Sequence, residues 1–366
     1  VNLALTEMRR AKLRFGLLTA AVALLVFLII FLSSLSGALL RALTGALDSL
    51  PADGLVYSET SRANVQASRL SPEVTAEVAD VPGVSAAGSI AVLSANATVA
   101  GAPDELQLFG VQPGSPSQPD GLREGSFPQT PTEVAVDASE ADVAIGDTIR
   151  VNGSTIDFVV VGRMVGTQFG TDTGWITDQG YADLLAELNP GLPVVPINAV
   201  AFTVDQGADA AAVAAQVQQA VDGTQVLEKG AAVDALPGVE SVGQTFGLLV
   251  GITFVIGVVV VGFFFLILTV QKLRTFTLLR ASGASTRGLA GTVTAQIAAV
   301  VLLASAVATV LAWGALLGLS TGLPVAIEPT TIGGVVGAVL LASLGAGLLS
   351  VRRIAQIDPA TAAGAR

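Results

Sequence analysis

In the stretch ESVGQTFGLLVG (residues 240–251), an acid, Glu240, and an amide, Gln244, stand one helical turn apart at the head of a long uncharged run. Glycines at 243, 247 and 251 recur every four residues, a small-xxx-small spacing that lets helix backbones approach closely in lipid. At about 100° per residue, Glu240 falls within roughly 60° of that stripe, so it faces another helix at the edge of the run. Two roles are open to it. A carboxylate in the first turn of a helix is favoured by about 0.3–1 kcal/mol, and an ionisable group at a membrane-edge helix contact also marks a ligand pathway. With Arg41, at the end of the first apolar run, and Tyr57, in the stretch GLVYS beyond it, Glu240 and Gln244 make up the candidate substrate-binding set. Gly243, Gly247 and Gly251 are the candidate helix-packing positions.

Other chemistry is excluded by residue type. The 366 residues include no histidine and no cysteine, so disulfides, thiolate metal sites and the usual neutral-pH base are all ruled out. A phosphate loop needs a lysine after glycine and before Ser or Thr. The three lysines, Lys12, Lys229 and Lys272, lie in AKL, EKG and QKL. Nor does any segment show metal-ligand spacing or a nucleophile–base pair, so no catalytic residue, metal site or intrinsic cofactor is expected.

What must hold these residues is a membrane. The chain is 52% apolar and only 13% charged, against about 25% charged in ordinary soluble domains. Uncharged runs at 15–40, 241–271, 288–327 and 329–351 exceed the roughly 20 residues that a spanning helix needs. They predict four spans near 15–40, 244–270, 290–317 and 330–350. The first run is longer than the roughly 7–15-residue core of a signal peptide and is expected to be a retained span.

Basic residues set the expected orientation. Arg9, Arg10, Lys12 and Arg14 precede the first span, Lys272, Arg274, Arg280 and Arg287 lie between the second and third, and Arg352, Arg353 and Arg366 follow the fourth. These are 11 of the 18 Lys+Arg, against Glu7 and Asp358, a net of +9 in a chain whose total is −11. All three segments, and so both termini, should be cytoplasmic, and residues 48–237 should form a large acidic extracellular domain.

That domain reads as α+β. GLVYS (54–58), SAAGSIAVLSANATVAG (85–101), ELQLFGV (105–111) and NAVAFTV (198–204) read as strands. SPEVTAEVADVPG (71–83) reads as a helix capped by Ser71, and 209–221 as a second helix. From 132 to 164 a β-rich texture begins, with alternating segments 147–151 and 155–161 across Asn152-Gly153, a hairpin signal. It suggests a β-rich insertion around 120–175. The carboxylates read as a solvated acidic face.

MRRAKLRFGLLTAAVAL (8–24), LLRASGAS (278–285), RRIAQIDPATA (352–362) and EVAVD…IGDTIRV…FVVVGRM together resemble the MacB/FtsX class of ABC transporter permeases. KLRTFTLLR (272–280) departs from the acidic approach to the loop found in many members, and is similar to the HrtB-like, haem-exporting branch. The resemblance implies a MacB-like permease with 1–47 as entry and first span, 48–237 as the extracellular domain, and 238–366 as three spans with a coupling loop at 271–287 and a tail at 352–366. It implies a homodimer and a separate ATPase dimer binding magnesium–ATP, with no nucleic acid involved. The coupling contacts would come from Arg274, Phe276, Leu278, Leu279, Arg280, Gly283 and Ser285 in the loop and from Asp358 and Pro359 in the tail. On spacing alone Arg280 and Arg287 are equally compatible with simple positive-inside anchoring, a reading that the IDPATA tail and the missing phosphate loop weigh against. Haem is the first implied substrate, with Glu240 or Tyr57 toward the iron and Arg41 toward the propionates. A drug, peptide or lipid, or a transport-free mechanotransmitter acting on a cell-wall hydrolase, are the alternatives.

Overall fold

The computed structural model describes residues 11–99, 101–137, 143–271, 286–318 and 329–355, without the side chains of 269, 286–290, 317 and 347–355. The described chain forms two compact units, one built on residues up to Gly37 and from Gln244 onward, the other on Ala38–Gly243.

The first unit is helical. Among the described residues, four helices are long and apolar enough to cross a membrane: α1 (Lys12–Asp48), and, in the numbering used below, α6 (Val239–Gln271), α7 (Thr286–Leu317) and α8 (Pro329–Ala355). Phe15, Leu18, Val22 and Val26 of α1 recur at three- and four-residue spacing and pack with Val261 and Phe265 of α6 and Ile297 and Val300 of α7. Such a stripe is what a 3.6-residue period places on one face. On α7 the stripe continues as Ala304, Ala308 and Ala312, all completely buried, so small residues allow close helix contact here. Large apolar side chains such as Leu248, Val255, Phe263 and Leu302 stay exposed, the distribution expected when lipid is the solvent. Arg14 closes one end of the unit by donating from its guanidinium to the Gln271 side-chain carbonyl at 2.9 Å.

The second unit is built on one mixed sheet of ten described strands. In chain order these are β1 (Gly54–Ser58), β2 (Val84–Val99), β3 (Ala102–Val111), β4 (Leu122–Gly125), β5 (Glu133–Asp137), β6 (Thr148–Val151), β7 (Asp157–Met164), β8 (Asp172–Thr177), β9 (Ala199–Val204) and β10 (Thr224–Glu228). Their spatial order is β10-β1-β9-β2-β3-β8-β5-β7-β4, with β6 bridging β2 and β7. Only β3–β8 and β5–β7 run parallel. Short helices α2 (Val74–Ala79), α3 (Asp178–Leu188), α4 (Ala210–Ala220) and α5 (Lys229–Asp234) complete the unit. α2 and α4 cover one face through Val78, Val213 and Val217 against Val56 and Phe202. On the other face Leu47 of α1 and Leu50 just after it pack with Leu55, Phe109 and Trp175.

The four expected spans are all present as helices, and the α+β domain lies between the first and second. The strand at 54–58 and the helix after Asp209 fall where the sequence placed them. Asp209 caps α4 by accepting from the Ala211 amide. The hairpin forms with Thr148 opposite Val159 and Arg150 opposite Asp157, and Gly153 takes a positive φ of 92°. β7 begins at Asp157 rather than 155 because Ser154 and Thr155 turn aside to donate their hydroxyls to Glu187 of α3. The Ser71 cap is corrected. α2 starts only at Val74, after Glu73, with no side-chain cap, because 71 and 72 form a preceding turn in which the Val74 amide donates to the Ser71 carbonyl.

Candidate functional site

The end of α1 is built into the sheet unit by backbone contacts. The Ala46 amide donates to the Gln168 carbonyl at 2.9 Å, and the Gly170 amide donates to the Ala42 carbonyl at 2.7 Å. Ala42 and Ala46 are the i and i+4 groups of one helical turn, and each takes a partner on the 166–170 segment. Gly45 makes this approach feasible, since a Cβ there would stand 2.7 Å from the Gly166 carbonyl oxygen. The segment is fixed from its other side by Asp137, which accepts from the Thr167 amide at 2.8 Å and hydroxyl at 3.0 Å. Lys229 donates from Nζ to the Leu50 carbonyl, tying the chain just after α1 to β10 and α5.

Around this corner lie most of the expected substrate-binding residues. Leu43 of α1 sits 3.9 Å from where a Cβ on Gly238 would stand. Half-buried Arg41 therefore lies two residues from one side of the contact and exposed Glu240 two residues from the other, Glu240 in the first turn of α6. Gln244 follows on the exposed surface of that helix. Tyr57 is not with them. It is fully buried in the sheet core with Leu55 and Phe109, its hydroxyl has no partner among the described residues, and burial pushes its pKa well above the usual tyrosine value. A phenol held there is not presented to a ligand arriving from outside.

Gly243, Gly247 and Gly251 would each meet nothing within 4 Å if given a Cβ. Within the described chain, then, this stripe does not pack a neighbouring helix, and the close approach is made instead by the alanines of α7. Arg274, Phe276, Leu278, Leu279, Arg280, Gly283, Ser285, Asp358 and Pro359, expected to meet an ATPase, lie outside the described residues.

The carboxylates do more than solvate a surface. Glu187 is held below the usual glutamate range by hydrogen bonds from the Ser154 hydroxyl, then from the Thr155 hydroxyl and amide. Glu133 is lowered by the Gln129 amide, Asp157 by its hydrogen bond with Arg150. Asp53 accepts from the Val204 amide at 2.8 Å and so joins the loop between α1 and β1 to β9. These groups fold loops onto strands. Among the described residues no three acids converge as a metal site would require.

Sequence reasoning missed the 166–170 segment and a buried amide network. Asn198 donates to the Val65 and Ser68 carbonyls, both at 3.0 Å, and accepts from the Val92 amide at 2.7 Å. The only local signal was polarity out of place, in an Asn heading a strand of alanines and valines, and in the glycines of GTQFGTDTG.

A helical unit of spanning length interrupted after its first helix by a large mixed-sheet domain defines a multi-span membrane protein with one inserted soluble module. Residues 15–220 match the MacB-like periplasmic core domain and residues 247–359 the FtsX-like permease C-terminal domain, so the chain belongs to the MacB/FtsX-type ABC permease family. It is 22% identical over 380 residues to the hemin transport system permease protein HrtB of Staphylococcus haemolyticus, covering 100% of this chain and 99% of that one. It is 25% identical over 372 residues to the uncharacterised ABC transporter permease Rv0072 of Mycobacterium tuberculosis, covering 99% and 98%. Among solved structures, the periplasmic region of MacB from Actinobacillus actinomycetemcomitans is 9% identical, with a TM-score of 0.38, over 50% of this chain and 92% of that one.

Proposed function

We propose that the chain is the permease half of an ABC exporter, a homodimer in the cell membrane with both termini cytoplasmic and the sheet domain outside, served by a separately encoded ATPase dimer that binds magnesium–ATP. The observation that carries this reading is the pair of family matches, which between them take in the inserted domain and the last three spans. The glycine stripe of α6, open within one chain, supports contact with a second copy. Closure of the ATPases on nucleotide would press on the loop at 271–287 and the tail at Asp358 and Pro359. The first two spans would then draw together at the outer leaflet and expel a hydrophobic or amphipathic ligand. For that cycle to do work, the ligand must bind the nucleotide-closed state more weakly than the open one.

Haem is the first substrate on this reading, supported by the likeness to a relative named for hemin transport, with a drug, peptide or lipid next. Glu240, Gln244 and Arg41 would line its path. The test is copurification with a phosphate-loop ATPase and measurement of ATP hydrolysis with and without hemin. Hemin should raise the rate in the native pair and not in Glu240→Ala. A pair that forms but ignores hemin removes haem as substrate, and a chain that binds no ATPase removes the class. Because the sequence has no cysteine, single cysteines introduced in the tails and the inserted domain report sidedness directly by reaction with a membrane-impermeant thiol reagent.

A second reading, in which domain movement activates an extracellular cell-wall hydrolase and nothing is exported, is favoured by the backbone bonds between α1 and 166–170, which would carry motion of the helix end into the sheet. ATP hydrolysis stimulated by no small ligand, together with hydrolase binding to the inserted domain, would establish it.

A further inference from the structure

The sheet of the inserted domain ends in β4 on one side and β10 on the other. β4 is four residues long, and its register with β7 shifts between Leu122 and Glu124. A short, irregular edge of that kind is a poor template for a further strand. β10 is different. Its five residues pair with β1 in unbroken register, from Thr224 opposite Ser58 to Glu228 opposite Gly54, so it is the edge at which another strand could add.

Backbone bonding fixes which groups that edge presents. At the two ends of the β1–β10 pair the Glu59 amide donates to the Gly223 carbonyl and the Lys229 amide to the Asp53 carbonyl. Bonded and non-bonded residues alternate along an antiparallel pair, so Gly223, Gln225, Leu227 and Lys229 turn their backbone groups to β1, and Thr224, Val226 and Glu228 turn theirs outward. Two of the outward groups are taken by one side chain. Gln218 of α4 donates from Nε2 to the Thr224 carbonyl at 2.5 Å and accepts at Oε1 from the Val226 amide at 2.8 Å. These are the two bonds with which one residue of a parallel neighbour would clasp Gln225. A carboxamide carries the donor and acceptor of a peptide group, and Gln218 thus takes the place of one residue of a further strand.

The helix sets it there. Val213 and Val217, one turn apart, bury α4 against the sheet face, and Gln218, about 100° further round, falls toward the edge. A turn of three residues joins α4 to β10, with Gly223 at a φ of 71° and the Thr224 hydroxyl donating to the Val221 carbonyl. Beside Gln218, Thr224 and Gln225 the surface opens into a hollow of about 540 Å³ that also meets Glu59 and Arg62, so this end of the edge borders open space.

We propose that Gln218 is a stop on the β10 edge, which keeps the sheet closed to strand addition by a second copy of this chain. A second copy is the occupant because the outward positions 224, 226 and 228 are symmetric about Val226. Two β10 strands paired antiparallel across a two-fold axis place Val226 opposite Val226, where each exchanges both of its bonds with the other, and Thr224 opposite Glu228, where no like charges meet. That register needs the Thr224 carbonyl and the Val226 amide, the two groups that Gln218 holds. The proposal rests neither on the transport reading nor on the dimer proposed through α6, since it concerns a contact that the native chain avoids.

The experiment uses the full chain in lipid nanodiscs and a fluorescent peptide of residues 222–229, DGTQVLEK, followed by anisotropy. The native chain and Gln219→Ala, a change one residue along the same helix, should bind it weakly or not at all. Gln218→Ala should bind it at least tenfold more tightly. Gln218→Met, which keeps the length of the side chain and loses both bonds, should behave as Gln218→Ala does, and it decides the matter if the alanine variant melts early. A peptide N-methylated at Val226, whose amide faces the pairing edge, should lose this binding, and one N-methylated at Gln225, whose amide faces away, should keep it. Equal affinity of the native chain and both variants, or indifference to methylation at Val226, overturns the proposal. Earlier melting of both variants without peptide binding also overturns it, because Gln218 then only fastens α4 to β10.

Discussion

Gly45 of α1 and Gly166 of the segment after β7 come so close that a single methyl group on Gly45 would stand 2.7 Å from the Gly166 carbonyl oxygen, and 3.0 Å from that of Gln168. A helix end and a loop more than a hundred residues later in sequence therefore share backbone hydrogen bonds. Gly45→Ala should destabilise the inserted domain by about 1–2 kcal/mol, an overpacking cost partly offset by alanine's better helix propensity. Gly16→Ala, on the same helix with nothing within 4 Å, should show no loss. Thermal unfolding of the two variants side by side checks this, and equal melting would mean that the close approach carries no energy.

Glu187 gives the domain an acid-sensitive latch. Its carboxylate is held below the ordinary glutamate value by Ser154 first, then by Thr155. A depressed folded pKa contributes stability that is complete above the unfolded value of about 4.3 and is lost as pH falls through the folded value. The protection of the Thr155 and Ile156 amides, measured against their intrinsic exchange rate at each pH, should therefore fall below about pH 4 in the native protein. Glu187→Gln should exchange faster at neutral pH and lose that pH dependence, and a variant keeping the native profile would contradict the assignment.

Two helix caps set separate local stabilities. The Thr177 hydroxyl accepts from the Gly180 amide at 3.0 Å, and Asp209 from the Ala211 amide at 3.1 Å. Thr177→Ala and Asp209→Ala should each cost about 1 kcal/mol, read in denaturant unfolding. Ser71→Ala should cost much less, because Ser71 caps nothing.

On the proposed homodimer, the two small-residue stripes would separate folding from association. Ala308 is fully buried in the helical unit, so Ala308→Leu should lower the melting temperature of the monomer. Gly247 meets nothing within 4 Å, so Gly247→Leu should leave monomer melting unchanged and reduce the dimer fraction in crosslinking. A Gly247→Leu chain that dimerises normally would show that this stripe is not where copies meet.

The sequence by itself determined the four spans, the insertion of one domain after the first, the turn at Asn152-Gly153 and the helix that follows Asp209. Each rests on signals within a few residues: apolar length, period, or a turn residue at a fixed offset. Tertiary structure alone decided that Tyr57 of β1 goes into the sheet core, that Gly45 is a backbone contact, and that Gln107 and Thr171 line one cavity. Those outcomes follow from strand order, above all from β3 pairing with β8 in parallel, Gln107 opposite Thr173. Such a pairing joins residues far apart in the chain, and no local period encodes which distant strand will supply the neighbour.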